Sequence, residues 1–372
     1  MDIYIYVCYK YNIMETKIIE ELAHNTKNTC IQEIIFFGDE KYLKNIWYNR
    51  VKNFYMNILR NNGYNVSEKD MLHKIKYISQ YKQEELELVV KSLDQYIKKG
   101  ILCIFTPVNF AILMHIYLYS NINGRKNLES ILKKLKYIIL WQEIIQDNLM
   151  ITGYDPKQFS KKFLILFFES SILNLISNMQ SFKTLKKYNL KNCQYYTIIG
   201  HSKINNIIPL TQKTSTIDIL IYGSRIKSNF YEYRTMLVDK ITDLNKKFNY
   251  SLVMFDDTFE IDKYLECTNI VVHVPSFSNL PHMPWAKITT LQAKKVFFII
   301  EENDEMYEKQ LETFTIYYQR NDIEDLYKKI AYFLDPVNQN EKQRIIEENY
   351  DYIMSTNNMD IKIPEFISTI IL

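Results

Sequence analysis

Between Thr216 and Tyr352, short apolar runs alternate in order with amphipathic helical stretches, and this alternation restricts the chain more than any single motif does. Ile217–Tyr222 is nearly continuous in apolar residues, as expected of a strand covered on both faces. Leu237, Ile241, Leu244 and Phe248 then recur at helical spacing. Strands are expected at Tyr250–Phe255, Ile270–Val274, Val296–Ile300 and Thr315–Tyr318. Between them fall helices at Phe259–Leu265, Trp285–Lys294 and near Met306, and helices at Ile323–Leu334 and Glu341–Ile353 follow. Strand–helix alternation at this spacing implies a parallel sheet of Rossmann type.

The first half is α/β as well, with more helix. Strands are expected at Ile3–Val7, Gln32–Phe37, Ile101–Phe105, Tyr137–Leu140, Ile172–Ile176 and Tyr195–Ile199. Amphipathic helices run from Leu43 to Leu59, stopped by Asn61-Asn62-Gly63, and from Leu86 to Ile97, stopped at Gly100. A chain of 372 residues exceeds what one core usually serves. Asn, Pro, Thr and Ser cluster in Lys203–Ser215, so the expected division is an N-terminal domain 1–207, a C-terminal domain 208–352, and a tail 353–372 packing back on the first domain.

Composition narrows the class. Hydrophobic residues make up 47% and charged residues 24%, and the net charge of +3 is spread without a basic tail, so no nucleic-acid partner is expected. Five dispersed cysteines without a C-x-x-C argue for a reducing compartment. The start Met1-Asp2-Ile3-Tyr4 lacks a signal-peptide pattern, which points to the cytoplasm. Ile101–Asn123 carries no Lys, Arg, Asp or Glu, but Thr106-Pro107-Val108-Asn109 and His115 interrupt it. It reads as a buried strand, a turn and a buried helix, and no transmembrane span is expected. Few glycines and abundant Ile, Lys, Asn and Tyr resemble the usage of AT-rich genomes, including large DNA viruses.

Ligands of open parallel sheets bind beyond the carboxyl ends of the strands, so the residues leaving each strand are the candidates. Gly223-Ser224-Arg225 can approach, hydrogen-bond and charge-pair a phosphate, or form a tight turn with a surface arginine. His273, in His273-Val274-Pro275-Ser276, is either an acid–base group lining a cleft or a polar residue packed at a strand end. Glu301 can accept hydrogen bonds from ribose or sugar hydroxyls, or cap the next helix. Gly200-His201-Ser202 either faces a cleft between domains or makes a turn. There is no P-loop, G-x-G-x-x-G, H-E-x-x-H or G-x-S-x-G, and no Asp-x-Asp at a strand end to hold a divalent metal.

Taken in order, Gly200-His201-Ser202, Asp218–Ser224, Ile270–Val274 and Val296–Glu301 resemble the GT-B-type glycosyltransferases of large DNA viruses and bacteria. Ile104–Pro107, Tyr137–Glu143 and Asn174–Asn178 resemble first-domain segments of the same family. The resemblance implies two Rossmann-like domains facing a cleft, a nucleotide-sugar donor as substrate, no cofactor and no obligatory metal. The acceptor, a glycan, protein or lipid, is unspecified and would bind the N-terminal domain. It further implies that Gly223, Ser224, Arg225, Ser276 and Lys287 bind the donor, with Glu301 on its ribose or sugar. His273 would be the catalytic residue. Where the family carries E-x-x-R, this chain reads Pro284-Trp285-Ala286-Lys287, and Ile300 replaces the serine of the family's V-I-S-E strand. A scaffold that has kept the fold for a binding or virion role therefore stays open beside an active transferase.

Overall fold

The computed structural model describes residues 31–38, 46–70, 83–98, 100–151, 154–222, 232–255, 261–275, 285–303 and 315–371. The strand expected at Ile3–Val7 and the helix near Met306 lie outside these residues. The chain forms two compact units, one running to Ile198 and including Met359–Leu372, the other Ile199–Asn358.

The described part of the first unit alternates β1 (Glu33–Gly38), α1 (Ile46–Asn61), β2 (Val66–Asp70), α2 (Gln83–Asp94), β3 (Ile101–Phe105), α3 (Pro107–Tyr119), α4 (Ile122–Lys134) and β4 (Tyr137–Trp141). It continues through α5 (Lys161–Ser170), β5 (Leu173–Ile176), α6 (Met179–Lys187) and β6 (Cys193–Tyr195). All its strands pair in parallel in the order β2-β1-β3-β4-β5-β6.

The charge-free stretch from Ile101 is the strand, turn and helix expected of it. Pro107 opens α3, where a missing N–H costs nothing. Asn109 reaches back to accept from Thr106 N (2.8 Å) and donates to Phe37 O of β1 (3.2 Å), so the helix start is tied to the sheet. Among the described residues no helix is long and apolar enough to cross a membrane. The core above β3 and β4 is largely aromatic, with Phe105, Phe110, Tyr137, Trp141, Phe163 and Phe167 in mutual ring contact. Cys103 and Cys193 are buried free thiols, and burial pushes the Cys193 thiol up to about 12.

β2 has no counterpart in the sequence reading because Val-Ser-Glu-Lys-Asp lacks apolar alternation. At the edge of the sheet formed by the described strands it carries charge, which blunts pairing with another chain. The run expected as a strand over Tyr195–Ile199 pairs only as far as β6, Cys193–Tyr195, with Tyr196 N still donating to Ile176 O (2.9 Å). Ile198 and Ile199 are buried without extending the ladder, and apolarity alone does not distinguish the two situations.

The second unit comprises β7 (Ile217–Tyr222), α7 (Glu232–Phe248), β8 (Leu252–Phe255), α8 (Ile261–Leu265), β9 (Thr268–His273), α9 (Trp285–Ala293), β10 (Phe298–Glu301), β11 (Ile316–Tyr318), α10 (Ile323–Leu334) and α11 (Gln339–Thr356). Among the described residues its five strands pair in parallel in the order β11-β10-β9-β7-β8. Strand order reverses between β7 and β9, the switch point at which such sheets leave a crevice. Ile219, Ile221, Ile270, Val272 and Ile299 pack on Leu237, Val238 and Ile241 of α7 and on Leu326, Tyr327 and Ile330 of α10.

The units divide ahead of the 207/208 boundary expected from composition. The turn from Ile199 is held within the second unit: Thr289 of α9 donates to Ile199 O (2.6 Å) and His201 N to Asn357 O (2.9 Å). α12 (Met359–Ile371) belongs with the first unit and packs on α1. There Tyr64 donates to Pro364 O (3.2 Å), and Tyr196 lies against Phe366 and beneath the Lys362 ammonium.

Candidate active site at the carboxyl edge of the second sheet

Alternation along each strand sorts the candidates by face. Ile221, Val272 and Ile299 enter the core under α7 and α10, so their successors Tyr222, His273 and Ile300 turn to the opposite face. Tyr222 and His273 are register partners, as are His273 and Ile300, which sets the three in one row at the sheet's carboxyl edge. His273 is only 6% exposed.

Lys287, in the first turn of α9, covers this row. Its ammonium lies 4.9 Å from the centre of the Tyr222 ring. Burial, and next the nearby Arg234 charge, push the Lys287 amine down to about 7. Arg234 is itself buried, in the first turn of α7. Two basic side chains on two helix N-terminal turns therefore share one corner of the sheet edge, a place where backbone N–H groups and helix dipoles also favour negative charge.

Glu301 turns to the α7 face, on the side of the sheet away from His273 and Lys287. It is 6% exposed. One carboxylate oxygen accepts from Tyr233 (2.7 Å) and the other from Tyr318 (3.2 Å). Burial raises its pKa, and the two phenols together with the Arg320 charge oppose that rise without cancelling it. Burial likewise raises the Tyr233 and Tyr318 phenols, assisted by the Glu301 charge. Consecutive residues of α7 thus act on both groups, Tyr233 by a hydrogen bond to Glu301 and Arg234 through its charge on Lys287.

Of the other sequence candidates, Gly223, Ser224, Arg225 and Ser276 lie outside the described residues, as does Pro284. Gly200, His201 and Ser202 are buried, with His201 and Ser202 in isolated bridges to Asn358 and Ile207 ahead of a turn over 203–206. Ser202 Oγ accepts from Asn205 N (3.1 Å), Ser202 exchanges backbone bonds with Ile207, and His201 lies edge-on to Tyr350 at 6.2 Å. Sequence reasoning overlooked Tyr222 as the platform for Lys287. It also overlooked Tyr233, Arg234, Tyr318 and Arg320. Their only local signal is a run of aromatic and basic residues at a helix start and a strand end.

No family model and no curated protein matches this chain. Solved structures do. HepE (Alr3699) of Anabaena, in complex with UDP and glucose, is 9% identical over 91% of this chain and 98% of its own, with a TM-score of 0.55. A glycosyltransferase from Rickettsia africae ESF-5 is 12% identical over 91% and 97%, with a TM-score of 0.60. T4 phage BGT, in complex with UDP and Mn2+, is 10% identical over 91% and 99%, with a TM-score of 0.50. The fold of this chain, two parallel α/β sheets with twelve helices among the described residues, is therefore the GT-B fold.

Proposed function

We propose that the protein is a glycosyltransferase that takes a sugar from a nucleotide-sugar donor bound at the carboxyl edge of its second sheet. The observation that carries this reading is the pairing of Lys287 and Arg234 on two helix first turns beside the β7/β9 switch point. A diphosphate leaving group bound there would set its developing negative charge beside both basic side chains. Arg234 provides the guanidinium that the Pro284–Lys287 segment lacks. HepE and T4 phage BGT hold UDP on the same fold, which supports a uridine diphosphate donor.

In this reading the protein's own cations neutralise the diphosphate, with no metal required. Glu301 exchanges its phenol partners for ribose or sugar hydroxyls, and His273 lines the reacting end. Gly223, Ser224, Arg225 and Ser276 complete the phosphate contacts. The acceptor is held by the first unit, and the protein works in the cytoplasm, of a host cell or within a virion if its gene is viral.

A second reading, donor binding without transfer, is favoured by the replacement of the family's E-x-x-R by Pro284 and Lys287. Thermal unfolding with UDP-, GDP- and TDP-sugars, run beside an assay for released nucleoside diphosphate, separates the two. A ligand that binds only the native state raises the midpoint. Protection with release supports the transferase, protection without release supports the binding protein, and no protection by any nucleotide rejects both.

A further inference from the structure

The corner between α3 and α4 has no part in the reading above. Tyr119 and Ile122 flank it and are 55% and 70% exposed. The backbone between them is fixed from several directions. Asn121 Oδ1 accepts from Gly124 N (2.8 Å), while Arg125 of α4 donates through Nε to Ser120 O (3.1 Å) and through Nη2 to Leu118 O (2.7 Å). The last carbonyls of α3 are thus served by the first turn of α4. Gly124 is buried, and a Cβ there would lie 3.0 Å from Ser120 Cβ, so the two helices meet too closely for a larger residue. The Tyr119 ring lies against His115, one turn earlier, with ring centres 4.3 Å apart. Two large apolar side chains are therefore presented to solvent by a firmly braced corner.

Charge surrounds this tip with one sign. No acidic residue occurs from Ile101 to Leu128. α4 buries Gly124, Leu128, Ile131 and Leu132, and helical spacing puts Ile122, Arg125, Lys126, Glu129 and Lys133 together on its other side. Glu129 is the one acidic residue of the helix, and it is already engaged. It accepts from Lys162 Nζ of α5 (3.0 Å) and from the Tyr117 hydroxyl (3.0 Å). The Lys162 hydrogen bond, with help from Tyr117 and the Lys133 charge, holds its carboxyl below the usual range. The outer side of α4 is thus apolar at its start and positively charged along its length.

We propose that the α3–α4 corner is a contact site for an anionic lipid surface. Tyr119 and Ile122 enter the headgroup layer, and Arg125, Lys126, Lys133 and Lys162 rest on its negative charge. An aromatic ring and an aliphatic side chain gain by leaving water at that depth, while basic residues around them are drawn to acidic headgroups. A nucleic acid would match the cations but offer nothing to Ile122, so the apolar tip decides for lipid.

Co-sedimentation of the full chain with phosphatidylcholine vesicles, alone or mixed with phosphatidylglycerol, tests this. The wild type should pellet with the mixed vesicles and stay in solution with phosphatidylcholine alone, and high salt should weaken the binding. Tyr119→Ser with Ile122→Ser should lower binding about tenfold, and so should Lys126→Glu with Lys133→Glu. All four side chains are exposed, so the unfolding midpoints of these variants should match the wild type. Lys246→Glu, exposed on the second unit, should bind as the wild type does. Tyr119→Trp should gain quenching by brominated lipid, which a residue that stays in water would not show. No pelleting with mixed vesicles, equal pelleting with both kinds, or binding that either pair of substitutions leaves intact overturns the site. So does a preference for single-stranded DNA over the mixed vesicles, which would assign the cations to nucleic acid. Protection by UDP should be the same in every variant, so the lipid result stands apart from the donor reading.

Discussion

The Lys287 ammonium sits 4.9 Å above the centre of the Tyr222 ring, with the Arg234 charge as its neighbour. A cation over an aromatic face is attracted, whereas burial and the second cation weaken the amine's hold on its proton.

Replacing Lys287 with Met should therefore act in opposite directions on the free and bound protein. Nucleotide affinity should fall about tenfold for the loss of a charge-assisted bond, read by titration calorimetry with UDP. The ligand-free protein below pH 7 should become more stable, by roughly 1–2 kcal/mol, because a desolvated charge opposed by Arg234 is gone. Equal loss of stability and affinity would reduce Lys287 to a packing residue.

The same lysine sets a pH dependence. Its folded pKa of about 7 lies below the ~10.4 of an unfolded lysine. Between these values the unfolded chain binds more protons, so this group's contribution to stability should rise with pH across that interval, with the full penalty present below it. Anion affinity should move the other way, declining as the amine loses its proton on passing upward through neutrality. Denaturant titrations and UDP binding measured at pH 6 and pH 9 check both arms, and Lys287→Arg should flatten the binding profile.

Tyr233→Phe removes the 2.7 Å hydrogen bond to Glu301 and should cost about 1–3 kcal/mol in urea unfolding, because a buried carboxylate loses a donor. The Glu301 pKa, already raised by burial, should rise further. Glu301's contribution to stability is present below its unfolded pKa and is lost as pH rises through the folded value. Glu301→Gln should abolish that part of the profile. If Glu301 binds nucleoside hydroxyls, the same variant should weaken UDP more than pyrophosphate.

Gln292 on α9 donates to Asn349 on α11 over 2.9 Å, and both are buried. Asn349→Ala should destabilise by about 1–3 kcal/mol by stranding the Gln292 amide. The double substitution Gln292→Leu with Asn349→Leu should recover most of that loss, because the polar pair is replaced as a unit. A double variant no better than the single would show that packing, not the stranded amide, sets the cost.

Asn109→Ala removes both the bond from Thr106 N and the tie to Phe37 O, one local and one across the sheet. A loss of about 1–3 kcal/mol in thermal or chemical unfolding is expected, larger than for a surface cap. A loss of only a few tenths would mean that water replaces the amide.

Much of the second sheet was legible in the chain. The runs ending at Tyr222, His273 and Glu301 are apolar, bounded by polar residues, and appear as strands within one or two residues of expectation. β2 was not legible, because an edge strand is specified by its neighbour's free hydrogen-bonding groups and its own residues are largely charged. α4 escaped for a related reason: its interior is polar, and Asn121, which caps it by accepting from Gly124 N (2.8 Å), lies at the end of a charge-free stretch. At the candidate site, Lys287, His273 and Glu301 could be named from strand ends and from resemblance. Arg234, Tyr233 and Tyr318 could not, since nothing in their local spacing says what they face.

Periodicity and punctuation, which are local properties, determined that this chain alternates strand and helix, where its strands stop, and that polar residues leave those ends. Only the tertiary structure decided that Glu301 turns toward α7 while His273 and Lys287 lie on the other face. It alone decided, too, that Arg234 stands close enough to Lys287 to lower its hold on a proton. Desolvation and Coulomb interaction depend on distances through space and on what displaces water, and residues 53 positions apart acquire such a distance only when the sheet and its helices have packed.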